Sequence, residues 1–124
     1  MKKIGLLLII SILIVSLTAC GSSIKISNDS RLSNMSAELS SIRITSNKHP
    51  DSEYVEVRGK VKALRDIDRD FQISITIYGE DGTTLDSFYV RPDSSLEEGE
   101  TGTFWGNAMI HSDERAKEVL IEVY

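Results

Sequence analysis

Phe71-Gln72-Ile73-Ser74-Ile75-Thr76-Ile77-Tyr78 is the stretch that decides the fold. Phe71 and the three isoleucines alternate strictly with Gln72, Ser74, Thr76 and Tyr78. A period of two puts the apolar residues on one face and the polar ones on the other, which is the pattern of a half-buried β-strand. Three β-branched isoleucines in eight positions suit a pleated surface.

The same pattern recurs on both sides. Upstream, Val55, Val57, Gly59, Val61 and Ala63 alternate with Glu56, Arg58, Lys60 and Lys62. A shorter strand is expected around Ile42-Arg43-Ile44, closed by a turn at Pro50-Asp51. Downstream, Asp81-Gly82 is a tight hairpin signal, so Leu85 to Val90 should return antiparallel to the central strand. Glu98-Gly99-Glu100 marks a further turn before a strand over Thr101 to Ile110. Ser112 is placed to cap one helical turn over Asp113 to Lys117. Val119, Ile121 and Val123 then read as a last strand. Six to seven short antiparallel strands with wet outer faces and turns between them predict an all-β chain folded as a small β-sandwich.

Taken together, several of these pieces resemble a known family. Val57-Arg58-Gly59-Lys60-Val61-Lys62, the strand ending at Tyr78, Asp81-Gly82, Gly99-Glu100 and Phe104 resemble the FxLyD-type domains. These are small immunoglobulin-like β-sandwiches of bacterial extracytoplasmic proteins, often lipoproteins. The resemblance runs over about Val55 to Val123 and implies an immunoglobulin-like sandwich outside the cytoplasm. It departs at two turns: Gly79 follows the tyrosine where an acid is usual, and Ala63-Leu64 stands where an Asn is usual. The resemblance implies no catalytic role.

The N-terminus reads as an export signal. Met1-Lys2-Lys3 precedes an uncharged run from Ile4 to Leu17, fourteen residues long. As a helix it would reach about 21 Å, short of the roughly 30 Å hydrocarbon core of a bilayer. Leu17-Thr18-Ala19-Cys20 follows. It resembles the bacterial lipobox, which implies a diacylglyceryl group on the Cys20 sulfur and cleavage before Cys20. Two acyl chains anchor a protein stably where one binds marginally. Cys20 is the one cysteine of the chain, so no disulfide within it is possible. In a diderm envelope, Gly21 in place of Asp would sort the protein to the outer membrane. The expected organisation is a signal peptide over 1–19, a lipidated cysteine and flexible serine-rich tether over 20–40, and the β-sandwich over 41–124. The tether would span about 25 Å, although Ile24, Ile26 and Leu32 are apolar enough for part of it to dock.

Charge narrows the partners. The whole chain carries 14 basic and 19 acidic residues, for a net charge of −5. Residues 1–19 hold two of the bases and none of the acids, so the mature chain has 12 against 19, or −7. That balance argues against nucleic acid and against charge-driven binding to anionic lipid. The expected partners are the membrane, through Cys20, and an envelope protein.

Candidate chemistry is sparse. Asp66, Asp68 and Asp70 offer clustered oxygens of the kind calcium takes. However, Phe71 stands where an EF-hand needs glycine, and Arg65 and Arg69 offset the charge. His49 and His111 lack a zinc-ligand spacing. No GxSxG elbow is present. No metal, cofactor or catalytic residue is therefore expected. If Phe104 points inward, Trp105 points outward, and by the same phase Tyr54 and Tyr78 lie on outer faces. These three aromatics are the candidate binding surface. The expectation is a lipid-anchored extracytoplasmic chain whose sandwich is a non-enzymatic binding module. A purely structural envelope lipoprotein is the alternative, and a small hydrolytic or metal-dependent enzyme comes last.

Overall fold

The computed structural model describes residues 24–124. The leader and the candidate lipobox, Leu17, Thr18, Ala19 and Cys20, lie outside the described residues. Seven strands follow in order: β1 (Lys25–Ile26), β2 (Ala37–Lys48), β3 (Glu53–Ala63), β4 (Ile73–Gly79), β5 (Thr84–Val90), β6 (Thr101–Ile110) and β7 (Ala116–Val123). They form two sheets, β1-β7-β4-β5 and β2-β3-β6. Four strands packed on three make a small two-sheet β-sandwich, with β1 at one edge of the larger sheet.

The alternation seen in the sequence becomes the core. Val55, Val57 and Val61 of β3 face Ile73, Ile75 and Ile77 of β4 and Val119 and Ile121 of β7, all fully buried. Asymmetry between the faces of each strand is what drives the sheets together, at roughly 25 cal/mol per Å² of apolar surface removed from water. Every buried side-chain nitrogen and oxygen among the described residues has a hydrogen-bond partner.

A bulge sets the phase of β2. Ser40 pairs with Lys60 and Arg43 with Arg58, so Ser41 and Ile42 together oppose Gly59. Ser41 sits at φ 51°, in the left-handed region such bulges use. Leu39 and Ile44 are an odd five residues apart, yet both are buried, because the extra residue turns the strand over between them. On the β6 side, Gly59 pairs with Phe104. A Cβ at Gly59 would lie 2.8 Å from the Phe104 ring, so the aromatic covers the glycine.

The other motif glycines are explained by turns. Gly82 has φ 85° in the β4–β5 hairpin and Gly99 has φ 90° before β6, a conformation that disfavours residues with a Cβ. The Gly99 N–H donates to the Ala63 carbonyl at 2.7 Å, and the Ala63 N–H donates to the Glu100 carbonyl at 2.9 Å. The Gly-Glu turn is thereby stitched to the end of β3.

Three sequence expectations are corrected. The helical turn over Asp113–Lys117 does not form. The Ser112 hydroxyl accepts the Glu114 N–H at 3.1 Å in a bend, and β7 begins at Ala116. Ser112 thus caps a turn, and pairing with β4 claims the backbone that follows. Second, residues 24–40 are not a free tether: Ile24, 6% exposed, joins the core, and β2 already begins at Ala37. Third, β1 runs parallel to β7, so the sandwich is not wholly antiparallel. The Ser27 N–H donates to the Val119 carbonyl at 2.8 Å and the Arg31 N–H to the Ile121 carbonyl at 2.9 Å. The segment is held along the β7 edge by its backbone, which sequence periodicity does not report.

Candidate binding face

The three candidate aromatics do not share one surface. Tyr54 and Trp105 lie on the outer face of the β2-β3-β6 sheet, where Tyr54 pairs with Met109 and Trp105 with Arg58. Tyr78 pairs with Thr84 and Glu118 on the outer face of the other sheet. Only the first two can contribute to one patch, and they are separated by four residues along the strands, about 14 Å. Trp105 is 57% exposed, whereas Tyr54 is half-buried.

Register builds the rest of that face. Arg43, Arg58 and Trp105 stand in one row across β2, β3 and β6. The next row is Ser40, Lys60 and Thr103. Ser41, Gly59 and Glu56 complete a shallow groove of about 540 Å³ around these side chains. Arg58 pairs with Glu56 at 2.5 Å. The β2 bulge makes this arrangement, since it turns Arg43 outward opposite Arg58. The sequence shows the basic residues of β3 and the outward Trp105, but the Arg43–Arg58 pairing depends on a bulge that strand periodicity does not reveal.

A second aromatic pair lies on the other sheet, where the Tyr89 and Tyr124 rings are 6.3 Å apart and tilted by 55°. Between the sheets, Gly106 of β6 lets β5 approach: a Cβ there would fall 2.3 Å from Val90 Cγ1.

The acidic residues go to separate tasks. The Asp66 carboxylate accepts the Glu98 N–H at 2.9 Å, and that of Asp68 accepts the Asp70 N–H at 2.9 Å. Asp70 lies 3.8 Å from Arg91. Among the described residues no group of three metal-ligating side chains comes together. His49 and His111 are exposed at the opposite end of the sandwich, in the β2–β3 and β6–β7 connections.

That end also holds a carboxyl pair. Asp81 is brought down to about 2, first by the Thr83 hydroxyl and then by the Thr83 N–H and by Glu114. Glu114 is raised, chiefly because it hydrogen-bonds Asp81 and so holds its proton. Glu53 is the residue the sequence does not flag: it is fully buried at the start of β3. Its carboxylate accepts the Ala116 N–H at 2.8 Å and the Ser46 hydroxyl at 2.5 Å. Both partners are distant in sequence or on a neighbouring strand, so nothing local marks the role.

In comparisons with known proteins, no family model, no curated protein and no solved structure matches the chain.

Proposed function

We propose that the chain is an exported lipoprotein, anchored through a diacylglyceryl group on Cys20 to the extracytoplasmic side of a membrane. Its sandwich is a non-enzymatic binding module that presents the outer face of β2-β3-β6. The observation that carries this reading is Leu17-Thr18-Ala19-Cys20 after Lys2-Lys3 and an uncharged run. The FxLyD-type resemblance supports the same location, and its Gly59, Gly82 and Gly99 each have a structural reason. Exposed Trp105 beside Arg43 and Arg58 supports a binding face, since aromatics and arginines carry much of the energy of protein recognition.

The anchor would be short. Ile24 is packed in the core, and three residues stand between it and Cys20, so the four Cα steps reach about 14 Å at most. β1 starts beside Glu118, at the end of the sandwich that also carries the β2–β3, β4–β5 and β6–β7 connections. That end would face the bilayer.

The test is Cys20→Ala with membrane fractionation and mass spectrometry. The expected outcome is loss of the lipid mass, accumulation of the precursor and loss of signal-peptide processing. A variant that is still processed and still membrane-bound would overturn the anchor.

A further inference from the structure

Arg43 and Arg58 are direct register partners on antiparallel strands. Like charges in that position repel. Glu56 offsets Arg58 alone, and Arg43 and Lys60 have no side-chain partner among the described residues. The opposite outer face carries Glu118 beside Tyr78 and Glu122 beside Ser74. The outer face of β2-β3-β6 carries Arg43, Arg58, Lys60 and Lys62 against Glu56, Glu38 opposite Lys62, and Asp93 on Thr103, so a chain with a net charge of −5 still leaves Arg43 and Lys60 unpaired on one sheet face, near an exposed indole.

The spacing suits a chain ligand with repeating negative charge. Arg58, Lys60 and Lys62 project from the same face of β3 at every second residue, a pitch of about 7 Å. A chain of sugars joined by phosphodiesters repeats its negative charge on that scale. Two guanidinium forks on neighbouring strands, about 5 Å apart, can grip one tetrahedral phosphate from different planes. A flat carboxylate presents its acceptor sites in one plane and suits a single fork. Trp105 adds an amphipathic ring face against which the C–H face of a sugar can stack. The groove is open along β3, so a long chain can run through it.

We infer that the outer face of β2-β3-β6 binds a phosphodiester-linked glycan laid along β3, with phosphates on the Arg43–Arg58 pair, Lys60 and Lys62 and a sugar ring on Trp105. This rests on the binding-module reading above and names its ligand class.

The test titrates the full chain, in neutral detergent, with a synthetic oligomer of hexoses joined by phosphodiesters. Parallel titrations use the uncharged hexose oligomer, a DNA oligonucleotide of equal charge and phosphatidylglycerol vesicles. The expected result is saturable binding of the phosphodiester-linked oligomer above all the others, weakened about tenfold by R43Q or R58Q, the loss of one charge-assisted contact. R43Q should also raise Tm without ligand, because it removes the opposed charge. The double variant K60Q/K62Q, on exposed positions, gives the same loss of binding independently of fold. Equal binding to R43Q, R58Q and K60Q/K62Q, no binding, equal affinity for DNA, or binding to vesicles alone would each overturn the inference. A photo-crosslinking amino acid in place of Trp105, used in intact cells, separates the two readings. Capture of another component leaves the module and rejects this ligand, whereas capture of nothing rejects the module.

Discussion

The buried carboxylate of Glu53 accepts the backbone N–H of Ala116 across 63 residues of sequence, at 2.8 Å. Ser46 donates to its other oxygen. One side chain thus ties β2 and β3 of one sheet to the start of β7 in the other. A buried polar group left without its partner costs about 1–3 kcal/mol. Glu53→Ala orphans the Ala116 N–H and the Ser46 hydroxyl and should lower stability by about 2–4 kcal/mol in urea unfolding. Glu53→Gln keeps an acceptor for Ala116 and gains a donor for Ser46, so it should lose about 1 kcal/mol. Equal losses in the two variants would mean that the side chain fills space and does not bridge the sheets.

Glu53 also shows where sequence reading stops. The alternation of Val55–Ala63 and Phe71–Tyr78 is visible because each strand buries one face, and this pointed to the sandwich and its hairpins, whereas the inward Phe104 was implied by the FxLyD-type resemblance. Trp105 followed from the same phase. Three kinds of feature were hidden. β1 pairs through backbone atoms and is two residues long, too short to show a period. Ser112 carries a capping residue's chemistry at a bend as readily as at a helix. The Arg43–Arg58 row needs the bulge at Ser41, and Tyr78 could be assigned to the opposite face only once strand order was known.

Gly106 is where the two sheets come closest at their β5–β6 edge. A Cβ would meet Val90 Cγ1 at 2.3 Å and Phe88 Cε2 at 2.9 Å. Overpacking of this kind costs about 1–3 kcal/mol. Gly106→Ala should show that loss, and Val90→Ala should recover much of it in the double variant, because it removes the clashing methyl. Strictly additive losses in a double-mutant cycle would contradict the contact.

Asp81 and Glu114 make stability depend on pH in opposite senses. Asp81 is depressed from 3.8 to about 2, so its contribution is present above about pH 4 and is lost as pH falls through about 2. Glu114 is raised above 4.5, so its contribution is present below that value and is lost as pH rises through the raised one. At neutral pH the two carboxylates face each other, with Glu80 adding to the repulsion. Glu114→Gln keeps a hydrogen-bond donor to Asp81 at every pH. Its Tm should exceed that of the parent at pH 7, and the gap should close near about pH 4. NMR titration should place the Asp81 carboxyl well below that of Glu114.

Neighbouring residues on β6 should respond in opposite ways. Phe104 is 1% exposed against Gly59, whereas Trp105 is 57% exposed beside Arg58. Phe104→Ala should cost about 3–5 kcal/mol. Trp105→Ala should change stability by no more than about 0.5 kcal/mol. A large loss at Trp105 in urea unfolding would assign the indole to sheet packing and remove it from the binding face.

The segment before β2 protects an edge as well as extending the core. Ser27, Arg31 and Val123 exchange backbone hydrogen bonds along β7, and the Ser30 hydroxyl accepts the Ile121 N–H at 3.0 Å. Ile24 and Leu32 add apolar cover. Without residues 24–36, β7 would be an open edge strand with Val119, Ile121 and Val123 behind it, and such edges pair with other chains. Ile24→Ala should lower stability by about 2 kcal/mol, the low end for a buried isoleucine because the adjoining β1 is only two residues long and can adjust. Deleting residues 24–36 should do something different in kind and drive concentration-dependent association, visible by light scattering. A deletion variant that stays monomeric with an unchanged urea midpoint would show that the segment contributes length alone.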